Sequence, residues 1–152
     1  MTIDPENPVV ALCAAGMAAD GTPAEALRLF EQAWAARRDD YDACIAAHFL
    51  ARHQPTPADT LRWNALAVEH AEAVPDGRAD GFMASLYLNL GDAQAALGHL
   101  DAASEAARRA TQALGAVPLG GYHDFVALGI HRLAQRLGGA ECQGDSLQDE
   151  VG

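Results

Sequence analysis

The sequence predicts an all-α chain of consecutive helix pairs closed by one terminal helix, and three observations carry that prediction. Alanine is the commonest residue by a wide margin, and half of the 152 residues are hydrophobic. Alanine has the highest intrinsic helix propensity and lets helices approach closely, so the composition favours tightly packed helices. Apolar residues recur at helical spacing, as in Leu86, Tyr87 and Leu90 or in Ala96, Leu97, Leu100 and Ala103. Between such runs stand capping and chain-reversing groups: Asn7-Pro8, Asp20-Gly21, Thr22-Pro23, Thr56-Pro57 and Pro75-Asp76-Gly77.

Asn7 caps and Pro8 opens a first helix expected from about Pro8 to Ala19, which Asp20-Gly21 stops. Thr22 to Glu25 reads as a capping box, and the second helix presents Ala26, Leu27, Phe30, Ala33 and Trp34 on one face before ending near Arg37 or Arg38. Asp39-Asp40 opens the third helix, whose apolar face of Tyr41, Cys44, Ile45, Ala47, Leu50 and Ala51 is interrupted by His48; it stops near His53. Thr56 to Asp59 opens the fourth, which carries Leu61, Ala65, Val68 and Ala71 toward Val74. The stretch Ala84–Ala103 holds the third pair. Gly91 is expected there to end the fifth helix and Asp92 to cap the sixth, which continues through Ala110 and Leu114 to Gly115 and Pro118. Phe125, Val126, Ile130, Leu133 and Leu137 outline a seventh helix with no partner after it, suited to cap an array. Residues 139–152, acidic and poor in apolar side chains, are expected to be a disordered tail, leaving 1–138 as one helical domain.

Ala26, Asn64 and Ala96 take equivalent places after each turn, at an average step of about 35 residues. With Gly21, Phe30 and Ala33 in the first copy and Ala84, Tyr87, Gly91, Leu100 and Ala103 in the third, this pattern resembles the tetratricopeptide repeat over roughly Pro8 to Leu114. The phrases DDYDACIAAHFLARHQ and SLYLNLGD are similar to small bacterial tetratricopeptide proteins. The second copy departs, with His48 at a small-residue site and Asn64 where alanine is usual. The resemblance implies a right-handed α-α superhelix of three helix pairs plus a C-terminal capping helix. It also implies a concave groove, lined by the first helix of each pair, that holds a peptide or protein segment.

Carried over position by position, that groove takes Ala11, Ala15 and Ala19 from the first helix; Asp42, Ile45, Phe49, Arg52 and His53 from the third; and Arg78, Ser85, Leu88 and Asn89 from the fifth. The terminal helix adds His123 or Arg132. A clamp for chaperone tails is not expected, because alanines hold the matching places on the first helix and Arg78 alone has the right chemistry. His48, with Arg52 one turn on and His53 beside it, marks the irregular pair. The candidate binding set is therefore Asp42, His48, Phe49, Arg52, His53, Arg78, Ser85 and Asn89. Arginine binds planar acids bidentately and histidine adds a donor that switches near neutral pH, so the alternative is a pocket for an anionic small molecule between the groove and the terminal helix, with catalysis on that molecule as its extension.

The remaining signals exclude more than they assign. A formal charge of -11, with no lysine in the chain, opposes nucleic-acid and anionic lipid surfaces. MTIDPENP lacks a basic segment followed by an apolar core and no window approaches a membrane span, so a cytoplasmic location is expected. Cys13, Cys44 and Cys142 form no C-x-x-C pair, and Cys13 and Cys44 read as reduced core thiols. The six histidines make no metal-ligand spacing, and no nucleophile-base motif or phosphate-cradling loop is legible. No catalytic residue, metal or cofactor is expected. The reading is a protein- or peptide-binding module, for which a homodimer is one further arrangement.

Overall fold

The computed structural model describes residues 4–19 and 21–148, with side chains through residue 139, and these residues form an all-α chain without strands. Its helices are α1 (Pro8–Ala18), α2 (Pro23–Ala35), α3 (Asp40–Leu50), α4 (Pro57–Ala73), α5 (Asp80–Ala96), α6 (Leu100–Ala113) and α7 (Gly121–Gln148). Single 3-10 turns, Ala51–His53 and Leu114–Ala116, tighten the ends of α3 and α6. No described helix is long and apolar enough to cross a membrane.

Local chemistry sets most of the boundaries. The side chains of Asn7, Asp39 and Thr56 accept hydrogen bonds from the amides of Val9, Asp42 and Asp59, satisfying donors that a helix start leaves orphaned. Thr22, expected to do the same, makes no such bond; Pro23 at the first helical position lacks an N–H and presets φ instead. Gly77, at φ 76°, closes the second pair where the sequence places its turn.

The third pair corrects the sequence reading. Gly91 does not end α5, which runs through Gly91 and Asp92 to Ala96, and the reversal is made by Gly98 at φ 78°. Gly91 is needed for a different reason: a Cβ there would lie 2.7 Å from Leu133 Cδ2 and 3.3 Å from Ala106 Cβ. Its missing side chain lets α6 and α7 close on α5, so the small residues of this crossing are Gly91, Ala103 and Ala106. The last helix, α7, is continuous across Gly138-Gly139 to Gln148. Residues 149–152 of the tail expected over 139–152 lie outside the described residues.

The core consists of three clusters in series. Val9, Cys13, Phe30, Ala33, Ala46 and Leu50 join α1 and α2 to α3. Cys44, Ala47, Ala67, Val68, Ala71 and Leu86 join α3 and α4 to α5. Ala84, Leu88, Ala103, Ala110, Val126 and Leu133 join α5 and α6 to α7. Each pair thus buries its inner faces against the first helix of the next unit. Trp34 and Trp63 meet edge to face at 5.0 Å, and His70 Nδ1 bonds Asp40 at 2.8 Å, tying α4 back to α2 and α3.

Candidate functional site: a two-part groove along α3 and α5

Two cavities share His48, Ser85 and Tyr122. The first, about 480 Å³, is walled by Val10, Cys13, Ala14 and Met17 of α1, Cys44, Ile45 and Phe49 of α3, and Phe82 and Leu86 of α5. The second, about 660 Å³, lies between the end of α3, the start of α4, the later turns of α5 and the start of α7; Arg52, Asn64, Asn89, Asp92 and Phe125 line it.

The first part is apolar and uncharged. Phe49 stacks on Phe30 at 5.3 Å and meets the His48 ring edge-on at 5.0 Å. Burial pushes the His48 imidazole down to about 4, and the Arg52 charge one turn away adds to the shift, so His48 is neutral at physiological pH. Asn89 Nδ2 lies 3.4 Å from His48 Nδ1; with the amide donating, the ring proton sits on Nε2. Burial likewise pushes the Cys13 and Cys44 thiols up to about 12, leaving them protonated and unreactive, as expected for reduced core cysteines.

The junction ties α7 to α5. Ser85 Oγ donates to the Phe82 carbonyl at 3.0 Å and accepts from Tyr122 Oη at 3.0 Å, so the start of α7 overhangs the groove. Tyr122 and Phe125 are exposed, Phe125 by 74 %, and Leu119 just before them by 88 %.

In the second part, Asp92 is held by Arg136 of α7. Burial raises the Asp92 carboxyl above its ordinary range, against the opposing pull of that arginine. Gln54 Nε2 donates to the Leu50 carbonyl at 2.8 Å and closes the end of α3, from which Arg52 projects as an exposed side chain. Asn64, on α4, is 6 % exposed and its amide makes no hydrogen bond among the described residues.

Of the eight candidate residues, the structure gathers His48, Phe49, Arg52, Ser85 and Asn89 on the groove and leaves three elsewhere. Asp42 is fully buried: Asn7 Nδ2 donates to it at 2.6 Å, and the Arg38 amide and Nε donate at 3.1 and 2.9 Å. Burial alone would raise its carboxyl, but the bonds from Arg38 and Asn7 outweigh it and hold Asp42 below the ordinary range. His53 stacks on Phe30 at 5.4 Å. Arg78 pairs with Asp76 at 2.8 Å and Asp39 at 3.6 Å, over the Tyr41 ring. Helix geometry explains the split on α3: residues four apart share a face, as His48 and Arg52 do, whereas Asp42 and His53 stand six and five positions from His48 and point away.

The wall that α1 contributes is Val10, Cys13, Ala14 and Met17, not the expected Ala11, Ala15 and Ala19; from α7 it is Tyr122, Phe125 and Val126, not His123 or Arg132. Asn64 was missed as a site residue because the resemblance lines the groove with first helices only, although its departure from alanine was visible. Among the described residues no group of three or more histidine, cysteine, aspartate or glutamate side chains could hold a metal ion. Comparison of the chain with protein-family models, curated proteins and solved structures finds no match.

Proposed function

We propose that the chain is a binding module whose groove along α3 and α5 holds a peptide or protein segment. A bulky apolar side chain sits in the first cavity, and the segment's polar groups meet the amides of the second. The observation that carries this reading is the pair of exposed aromatics, Tyr122 and Phe125, on the walls of two cavities that share His48, Ser85 and Tyr122. A compact ligand fills one cavity, whereas a docking segment spans both and covers the exposed rings between them, and exposed aromatics of this kind anchor protein contacts. The same reading takes the three pairs as a right-handed superhelix of tetratricopeptide type with α7 as its cap. It is supported by core clusters that each join one pair to the first helix of the next. The excess of acidic groups argues against nucleic acid as the occupant.

Selection of a random dodecapeptide display library on the wild-type protein tests this. The expected result is an enriched family sharing a bulky apolar residue, with affinity reduced about tenfold by Phe125→Ala, a change that leaves the core untouched. No enriched family, or one indifferent to Phe125→Ala, overturns the reading. A compact ligand is the second reading, favoured by the size of the first cavity, about 480 Å³ and within the range usual for small-molecule sites. It predicts that apolar monocarboxylic acids raise the melting temperature where no peptide family emerges.

A further inference from the structure

The second cavity contains a cation and an amide that the fold leaves without partners. The chain has ten arginines. Seven of them pair with a carboxylate within 4.0 Å. Arg37 bonds the Trp34 carbonyl. Arg52 and Arg132 make neither kind of contact among the described residues, and of these two Arg52 is the one that lines the second cavity. The one carboxylate that lines the same cavity, Asp92, is already taken by Arg136. Asn64 is the second feature: the residue is 6 % exposed, yet its amide is not among the sealed, unbonded side-chain atoms of the described residues, so it opens onto the cavity it lines. It lines the cavity from α4 while Arg52 enters from the end of α3, so the two donors converge from separate elements.

A lone guanidinium with a buried amide matches a monoanion: the guanidinium offers two parallel N–H donors to a carboxylate, and the amide offers a third. A dianion would leave a charge uncompensated against the acidic surface. The neutral His48 separates this polar part from the apolar part, which begins at the same residue. Beyond Asn89 the cavity continues along α5 for two more turns, past Asp92 and Ala93 to Ala96. The segment that supplies the anion therefore need not end there.

We propose that the groove selects a segment bearing an aspartate or glutamate close to a bulky apolar residue, with the carboxylate bound by Arg52 and Asn64 and the apolar side chain in the first cavity. This rests on the peptide-groove reading above. The test uses a defined array of dodecapeptides in which a central leucine, phenylalanine or tryptophan is followed, at roughly one to four residues, by aspartate, glutamate, asparagine, glutamine or lysine.

At low salt the wild type is expected to hold the acidic members about tenfold more tightly than their amide counterparts. Arg52→Ala removes that preference and leaves the amide members unchanged, and Arg52→Glu turns the preference toward lysine. Asn64→Leu also weakens the acidic members and leaves the melting temperature little changed, because the amide makes no bond inside the fold; a merely structural Asn64 would lower it. Acidic and amide members bound equally, both blocked by Phe125→Ala, would overturn the acidic selection and leave the groove reading standing. Absence of binding by any member would overturn both.

Discussion

The two ends of α3 treat charge in opposite ways. At its start, Asp42 is fully buried and answered on every side: Asn7 reaches it from the cap of α1, and Arg38 binds it through both backbone and side chain. At its end, Arg52 is exposed beside a buried amide, Asn64, and neither has a partner among the described residues. A charge whose bonds are completed within the chain holds helices together; a charge left open beside a cavity is available to something else. The difference separates structural from recognising polar groups on a single helix, and it can be attacked from both sides.

The largest effect is expected at the closed end. Asp42→Ala leaves the Asn7 amide and the Arg38 backbone N–H facing a pocket without an acceptor, and should cost about 3 kcal/mol of folding stability. Urea unfolding at neutral pH measures it. A loss below about 1 kcal/mol would mean that the α1–α3 tie is not held by this carboxylate, and the contrast between the two ends would collapse.

His48 stands between the two ends and supplies a pH signature. Its folded-state value, about 4, lies below the ordinary 6.5, so between these values the unfolded chain binds a proton that the folded chain refuses. The contribution is fully present above pH 6.5 and is lost as pH falls toward 4. Moving from about pH 7 to about pH 5 should cost about 2 kcal/mol from this group alone. Asp42 is shifted in the same direction, and its contribution is also lost on acidification, but only below the ordinary carboxylate range. His48→Gln should remove the imidazole's part of the slope between about pH 7 and about pH 5 in urea unfolding, while the raised Asp92 carboxyl acts in the opposite sense in both proteins. An unchanged slope would show that the ring is not kept dry.

Much of this was legible from residue types alone. Asn7, Asp39 and Thr56 were readable as caps because capping is local chemistry, decided within three residues. The position of His48 and Arg52 on one face followed from helical periodicity. Gly91 was misread because a glycine followed by an aspartate looks the same whether it ends a helix or admits a neighbour. The contact that decides is with Leu133, a distant residue on α7, and no local window contains it. The sequence alone puts Asp42 on the groove for the same reason, since its partner Asn7 lies 35 positions away. Asn64 and Tyr122 escaped because cavity walls are set by how three or four helices converge, which periodicity does not report.

A smaller effect returns to the closed end. Asn7→Ala removes both the cap on the Val9 amide and one donor to Asp42, while Arg38 stays in place. The expected loss is about 1.5 kcal/mol, intermediate because the carboxylate keeps its charged partner. In a double-mutant cycle with Asp42→Ala the two losses should fall short of additivity, since they share one bond. Full additivity would mean that Asn7 acts only as a cap.

The smallest stability effect is expected at Arg52, and its smallness is what the comparison requires. An exposed side chain without an internal partner has nothing to lose in the folded chain, so Arg52→Ala should change stability by less than about 0.5 kcal/mol. Removing its charge should slightly raise the His48 value, because that guanidinium opposes protonation of the ring. Titration of the His48 imidazole by NMR in the two proteins reads this directly. A large loss of stability in Arg52→Ala would mean that the guanidinium has an internal role after all. It would then resemble Asp42, and the open end of α3 would be no more available to a ligand than the closed one.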